Sequence, residues 1–198
     1  MTGLLTGTFD PVHLGHVAIA RAALEQCGLE AVWFWPNPDP AHKLSRAVMP
    51  HRLAMLELAL AGEDGLQISP LTPEQLALPH TLDTFLEVMV SFRPRQFQFI
   101  VGLDTLLRLG EWRDVESVVK NTSYIVAHRS GSSLGEIDNL RRRLGKCGPD
   151  LRLRFVDLPE LVTASSTAIR QELAGGEGSR QLDPAVSRYI TEQRLYLP

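Results

Sequence analysis

Three almost unbroken apolar runs constrain the fold of this chain more than any other feature. They read AVWFW at 31–35, FQFIV at 97–101 and YIVA at 124–127. A strand with one wet face alternates apolar and polar residues, whereas a run apolar at nearly every position has both faces covered. That is the habit of a parallel sheet between two layers of helices. Weaker strand patterns lie at Gly3–Leu5, Leu66–Ser69 and Leu153–Val156, and Pro36 closes the second run. Between the runs, apolar residues return at helical spacing. The pattern predicts helices over Val17–Gln26 (with Gly28 as the stop), His51–Ala61, Thr81–Val90, Asp104–Leu109, Trp112–Lys120, Leu134–Leu144, Ser166–Ala174 and Pro184–Gln193.

Strands alternating with helices imply βαβ units joined by right-handed crossovers. The expected fold is therefore α/β: a Rossmann-like, doubly wound, mainly parallel sheet with helices on both faces. Such sheets bind ligands beyond the carboxyl ends of their strands, where the strand order reverses. The chain has 198 residues, with no internal repeat or linker, so residues 1–198 are expected to form a single domain. Its formal net charge of −3 leaves no electrostatic footprint for nucleic acid. Arg141-Arg142-Arg143 is read as the solvated face of a helix. Cys27 and Cys147 form neither a disulfide framework nor a zinc cluster, and Cys27 is read as a buried small hydrophobe. With no signal segment and no apolar run of about 18 residues, no membrane role and a cytoplasmic location are expected. No oligomeric state is read from the sequence.

The stretch TGTFDPVHLGH at 6–16 stands just past the first strand and runs into the first helix, where such a fold places its site. Three readings compete for its histidines. As zinc ligands, His13 and His16 could share a helical face, but His42, His51, His80 and His128 offer no third ligand at a metalloprotease-like spacing. As packing residues they would be ordinary core. As a phosphate site, the whole stretch acquires a purpose. Gly7 lets backbone approach a ligand, and Pro11 stiffens the turn. The helix beginning near His13 or Leu14 aims free N–H groups and the positive end of its dipole into the cleft. The imidazoles add donors, and Gly15 leaves room between them. Only this reading explains every residue type in the stretch.

GTFDPVHLGH resembles the (H/T)xGH signature of the nucleotidyltransferase superfamily. Other segments resemble, in family order, the bacterial nicotinate mononucleotide adenylyltransferases. Pro36-Asn37 with Pro40-Ala41-His42-Lys43 is similar to their PN…PPHK loop, and His80-Thr81-Leu82-Asp83-Thr84 to SYTxDTL. Val101–Leu106 with Trp112 is similar to IGxDxL…W, and Arg129-Ser130-Gly131 to RPG. Ser165–Arg170 is similar to ISSTxIR, and Tyr189–Tyr196 to a closing YIxxxxLY. The chain departs from the pattern at Thr6, Ala41, Pro79-His80, Arg113, Ser130 and Ala164, mostly on the pyridine side.

The resemblance implies transfer of AMP from ATP to nicotinate mononucleotide, giving nicotinate adenine dinucleotide and pyrophosphate, with Mg²⁺ accompanying the ATP. It implies His13 and His16 as the catalytic pair. Gly7, Thr8, Phe9, Gly102, Asp104, Ser166, Thr167 and Arg170 join them around ATP, the helices from about 165 to 198 completing that site. Asn37, His42, Lys43, Thr81, Trp112 and Arg129 are implied on the pyridine nucleotide. Residue chemistry agrees in part. Ser165-Ser166-Thr167 is a helix-cap signal with Arg170 one turn inside, suited to a phosphate fork. Asp104 follows a strand and Gly102, where it could accept ribose hydroxyls or cap the next helix. Trp112 could stack on a pyridine ring or belong to the core. Lys43 and Arg52 offer more positive charge near the cleft, although for each alone a solvated surface cation is the commoner outcome. Nicotinamide mononucleotide or another phosphomonoester as acceptor, and a catalytically inert nucleotide-binding module, are the alternatives.

Overall fold

The computed structural model describes residues 1–37, 46–70, 91–92, 96–112, 114–128, 134–158 and 165–197. Six strands form one sheet: β1 (Thr2–Gly7), β2 (Ala31–Pro36), β3 (Leu66–Ile68), β4 (Phe97–Gly102), β5 (Tyr124–His128) and β6 (Leu153–Asp157). Their order is β3-β2-β1-β4-β5-β6, with every neighbouring pair parallel. The order runs outward in both directions from β1 and β4, so the crevice of this doubly wound sheet lies where those two strands part.

Period-two alternation divides each central strand between two cores. Leu5, Phe34, Ile100 and Ile125 point to one face, where α1 (Leu14–Cys27), α2 (Met49–Ala59), α6 (Ser166–Ala174) and α7 (Pro184–Glu192) cover them. Leu4, Trp33, Trp35, Phe99, Val101, Tyr124 and Val126 point to the other. That face carries α3 (Leu103–Leu107), α4 (Val115–Asn121) and α5 (Leu134–Arg143). Register keeps the layers aligned: Leu4 sits between Trp33 and Phe99, and Leu5 between Phe34 and Ile100. No described helix is long and apolar enough to cross a membrane.

Several boundaries differ from the sequence expectation for local reasons. Helix α1 starts at Leu14, ahead of the apolar face that opens at Val17 and where the opening motif places it, because His13 is extended (φ −143°) and serves as its N-cap. It ends at Gly28, whose left-handed φ of 61° closes the last turn with an N–H to the Leu24 carbonyl. Pro36 belongs to β2: it is the strand's last residue, and the ladder continues past it through Asn37 N–H to Gly7 O at 2.8 Å. Helix α2 starts at Met49, with Pro50 in its first turn, where a missing N–H does no harm. The helix expected over Trp112–Lys120 is shorter. Trp112 is extended (φ −76°, ψ 142°) after a 3₁₀ turn, and Asp114 (φ 50°) breaks the backbone before α4 begins.

Cys27 is only partly buried, since the end of α1 reaches the surface, while Cys147 is buried. Arg141, Arg142 and Arg143 are exposed, as expected, and lie in the last turn of α5, where cations suit the helix dipole. The helix expected over Thr81–Val90 lies outside the described residues.

Candidate nucleotide site

The strands flanking the crevice both end in glycine, Gly7 on β1 and Gly102 on β4. The β1 loop turns sharply at Phe9, which holds a left-handed φ of 49°. An aromatic residue adopts that conformation only where its surroundings insist on it. Here the ring is locked in the core, 1% exposed, edge-on to His16 with centroids 5.0 Å apart. Phe9 can therefore meet a ligand only through its backbone. Gly7 accommodates that ring, because a Cβ there would come within 3.1 Å of it.

The loop delivers two imidazoles stacked face to face, His13 on His16, with centroids 3.7 Å apart and planes inclined by 22°. His13 N–H donates to His16 Nδ1 at 3.2 Å. That bond fixes a tautomer: with Nδ1 accepting, the neutral ring carries its proton on Nε2. Burial pushes the His13 pKa down to about 4. Burial and then the neighbouring His13 charge hold His16 well below the ordinary histidine value. Both rings are therefore neutral at neutral pH. His13 Nδ1 is buried with no hydrogen-bond partner, an unusual state that calls for a reason.

The helix N-terminus offers fewer free donors than its sequence suggests. Leu14 N–H is taken by Gln181 O at 2.9 Å, and the His16 and Val17 amides both bond His13 O. Among the described residues, the Gly15 amide is the first-turn N–H left without a partner.

The second half of the site comes from the far end of the chain. Ser165 caps α6, its hydroxyl accepting from Ala168 N–H at 3.2 Å. With the cap filled, Ser166 Oγ donates to Pro11 O at 2.9 Å and Arg170 donates to Asp10 O at 2.7 Å. Arg170 also donates to Thr167 Oγ1 at 3.2 Å. The first turn of α6 is thereby pinned against the β1 loop. Beside it, Arg46, Thr167, Arg170 and Tyr196 line a cavity of about 210 Å³.

Asp104 does not cap α3. The cap position is Gly102, and Asp104 stands in the first turn with its carboxylate folded back over that glycine. A Cβ on Gly102 would lie 2.6 Å from Asp104 Oδ1. The exposed carboxylate thus hangs over the β4 side of the crevice. Asn37 is bonded to Gly7 at the β2 side. Trp112 is half-buried and meets Phe99 edge-on at 6.4 Å, so its ring belongs in part to the second core. His42, Lys43, Thr81 and Arg129 lie outside the described residues.

Two residues that the sequence left unremarked or misjudged organise this loop. Arg52 is no surface cation: it is 1% exposed and donates to Thr8 O and Asn37 O, each at 2.8 Å. Asp10, 5% exposed, accepts from Arg46 N–H (2.8 Å), Ala47 N–H (3.1 Å) and the Tyr196 hydroxyl (2.7 Å). Burial and the Asp10 carboxylate both push the Tyr196 phenol upward, so it stays protonated and donates. The DP pair inside the opening motif was the available signal for Asp10. For Arg52 the sequence offers only a positive charge near the cleft, with no sign of its burial.

Fold and site together define a doubly wound α/β protein whose crevice is lined from two distant stretches of the chain. Comparison with known proteins agrees. The cytidylyltransferase-like family model matches residues 4–172. A probable nicotinate-nucleotide adenylyltransferase of Symbiobacterium thermophilum is 37% identical over 98% of this chain and 94% of its own length. A protein of the same description from Neisseria meningitidis serogroup B is 38% identical over 98% of this chain and 97% of its own. A solved structure described as Plasmodium falciparum nicotinic acid mononucleotide adenylyltransferase complexed with NaAD superposes with a TM-score of 0.81. It covers 98% of this chain and 96% of its own, at 16% identity, which speaks to the fold. The chain belongs to the nicotinate-nucleotide adenylyltransferase family of cytidylyltransferase-like proteins.

Proposed function

We propose that this protein transfers the adenylyl group of ATP to nicotinate mononucleotide, releasing pyrophosphate and forming nicotinate adenine dinucleotide, in the cytoplasm. The observation that carries the reading is the stacked neutral pair His13–His16, set at a helix N-terminus and joined to the first turn of α6. Donors from two helices suit a triphosphate, and a phosphate entering the loop gives a reason for an imidazole nitrogen buried without a partner.

A phosphate oxygen of the mononucleotide attacks the α-phosphorus of ATP in line. The new P–O bond forms as the bond from the α-phosphorus to the bridging oxygen breaks, and pyrophosphate leaves with the electron pair. A phosphomonoester has a second pKa of about 6, so the nucleophile is ionised at neutral pH and no general base is required. The protein's task is positioning and stabilisation of charge on the transferring group. His16 donates from Nε2–H, His13 and Gly15 N–H add to the same cradle, and Thr167 and Arg170 hold the pyrophosphate end. Asp104 accepts the ribose hydroxyls, and Asn37 and Trp112 serve the acceptor. Mg²⁺ enters as part of the ATP substrate, held by phosphate oxygens and water.

The test is pyrophosphate release from Mg-ATP with nicotinate mononucleotide, nicotinamide mononucleotide and phosphopantetheine offered separately. Release with the first alone, or far faster with the first, is expected. Release with none would favour an inert nucleotide-binding module. His16→Ala should lower kcat about 10²–10³-fold with the fold intact. Near-normal turnover in that variant would remove His16 from the mechanism.

A further inference from the structure

Arg52 occupies an unusual position for a charged side chain. It projects from α2 into the interior and ranks among the largest fully buried side chains of the protein. Two of its contacts are to backbone carbonyls from different loops, 44 and 15 residues away in the chain. Thr8 is the first residue after β1, and Asn37 is the first after β2. These strands are parallel neighbours whose last paired residues are Gly7 and Pro36. One more rung, Asn37 N–H to Gly7 O, closes the ladder. Just past it, one guanidinium nitrogen bridges the Thr8 and Asn37 carbonyls.

We propose that Arg52 is a positioning residue that sets the distance between the two substrate-bearing loops, acting through the Thr8 and Asn37 carbonyls. The proposal rests on the reading above, in which the β1 loop takes ATP and the β2 loop takes the acceptor. Arg52 touches neither substrate. Each loop keeps its own binding groups without it, so each substrate alone binds much as before. What Arg52 supplies is the register of the attacking oxygen against the α-phosphorus. Reaction rates are steep in that register: a misplacement of about 1 Å costs on the order of a hundredfold.

Reach matters as much as the charge. One terminal nitrogen on a long stem meets two carbonyls from within a helix, whereas a lysine ammonium ends on a shorter reach. The chemistry around it fits. Tyr196 and Asp10, bonded to each other at 2.7 Å, belong to the same buried neighbourhood, as does Arg170 on Asp10 O. The Arg52 charge, with that of Arg170, acts on the Tyr196 phenol. Removing the guanidinium removes a bridge and leaves the carboxylate's own partners in place.

The experiment compares wild type, Arg52→Lys and Arg52→Ala, each checked for folding by circular dichroism and thermal unfolding. Kinetics are measured with Mg-ATP and the acceptor that wild type uses best. Isothermal titration gives Kd for a non-hydrolysable ATP analogue and for the acceptor, each alone. Both variants should lose about 10–100-fold in kcat, with each separate Kd within about threefold of wild type. Added ethylguanidinium should restore part of the kcat of Arg52→Ala, and an equal concentration of ethylammonium should not. The proposal is overturned if kcat per folded molecule stays within about twofold of wild type, or if weakened binding of one substrate accounts for the whole loss. It is overturned equally if Arg52→Lys is fully active, or if guanidinium rescue is absent in a folded Arg52→Ala. A wild type that turns over another acceptor refutes the reading of the acceptor and leaves the comparison valid. A wild type inert with every acceptor sinks both.

Discussion

Acid should weaken this fold through the very histidines proposed to serve its chemistry, and the size of the effect follows from their burial. In an unfolded chain, histidine takes up its proton near pH 6.5. Folded, His13 does so only at about 4. Between those values the unfolded state binds more protons, so stability falls as pH drops, by about 1.4 kcal/mol per unit for one group. At about pH 5 the loss from His13 is roughly 2 kcal/mol, and near pH 4 it approaches about 3 kcal/mol. Above about pH 6.5 the contribution is fully present and flat. His16 shifts in the same direction, and two imidazolium rings stacked 3.7 Å apart would repel, so its effect adds to the first. A loss of this size is a large share of the roughly 5–15 kcal/mol typical of folded domains. Urea unfolding between about pH 5 and pH 8 at constant ionic strength reads it directly, with wild type compared against His13→Gln. The two stability curves should run parallel above about pH 6.5 and converge below it, as wild type loses its extra increment. Curves that stay parallel down to about pH 5 would refute the claim that His13 is buried in its neutral form.

Other perturbations test separate parts of the site. The pH profile of kcat/KM for the mononucleotide should fall below about pH 6, where its phosphate gains a proton, and show no break from the histidines. A phosphorothioate acceptor, more acidic than the phosphate, should shift that fall downward; an unmoved profile would point to a protein group. Gly102→Ala should displace the Asp104 carboxylate, because the new Cβ would stand 2.6 Å from Oδ1. KM for ATP should then rise by roughly fivefold, about 1 kcal/mol, with the melting temperature unchanged. Tyr196→Phe removes the 2.7 Å hydroxyl bond to Asp10, and thermal unfolding should show a loss of about 1–2 kcal/mol. No loss would mean that the C-terminal segment is held by its apolar contacts alone.

Much of the sheet is visible in the sequence, because its central strands are apolar on both faces. AVWFW, FQFIV and YIVA each fall within an observed strand, and the cap and period of SSTAIR place α6 at its observed bounds. Patterns of residue type fail where a single backbone conformation or a distant partner decides. Trp112 continues an apolar period on paper, yet the left-handed Asp114 interrupts the helix, and aspartate carries no strong signal for that. Which serine of the pair caps α6 depends on where the β1 loop lies, not on α6 itself. Arg52 is the largest surprise. Its sequence neighbourhood describes an amphipathic surface helix, while its acceptors are carbonyls that only the assembled sheet edge supplies. Asp10 and Tyr196 stand 186 residues apart, a separation that no local pattern spans.

The bonds from Ser166 and Arg170 back to Pro11 and Asp10 also bear on when the protein becomes competent. They close over 155 and 160 residues, and the sixth strand is already complete at Asp157. A growing chain can therefore assemble its whole sheet while the half of the site proposed to hold pyrophosphate is still being made. One core layer, begun by α1 and α2, is completed only by Ile169, Leu182, Val186 and Ile190. Stability and the proposed nucleotide grip thus depend on the same segment after Asp157. Divided at the segment before Ser165, the chain yields two pieces that each lack half of the grip. Nucleotide should then draw the two pieces together, as a ligand drives the joining of split proteins.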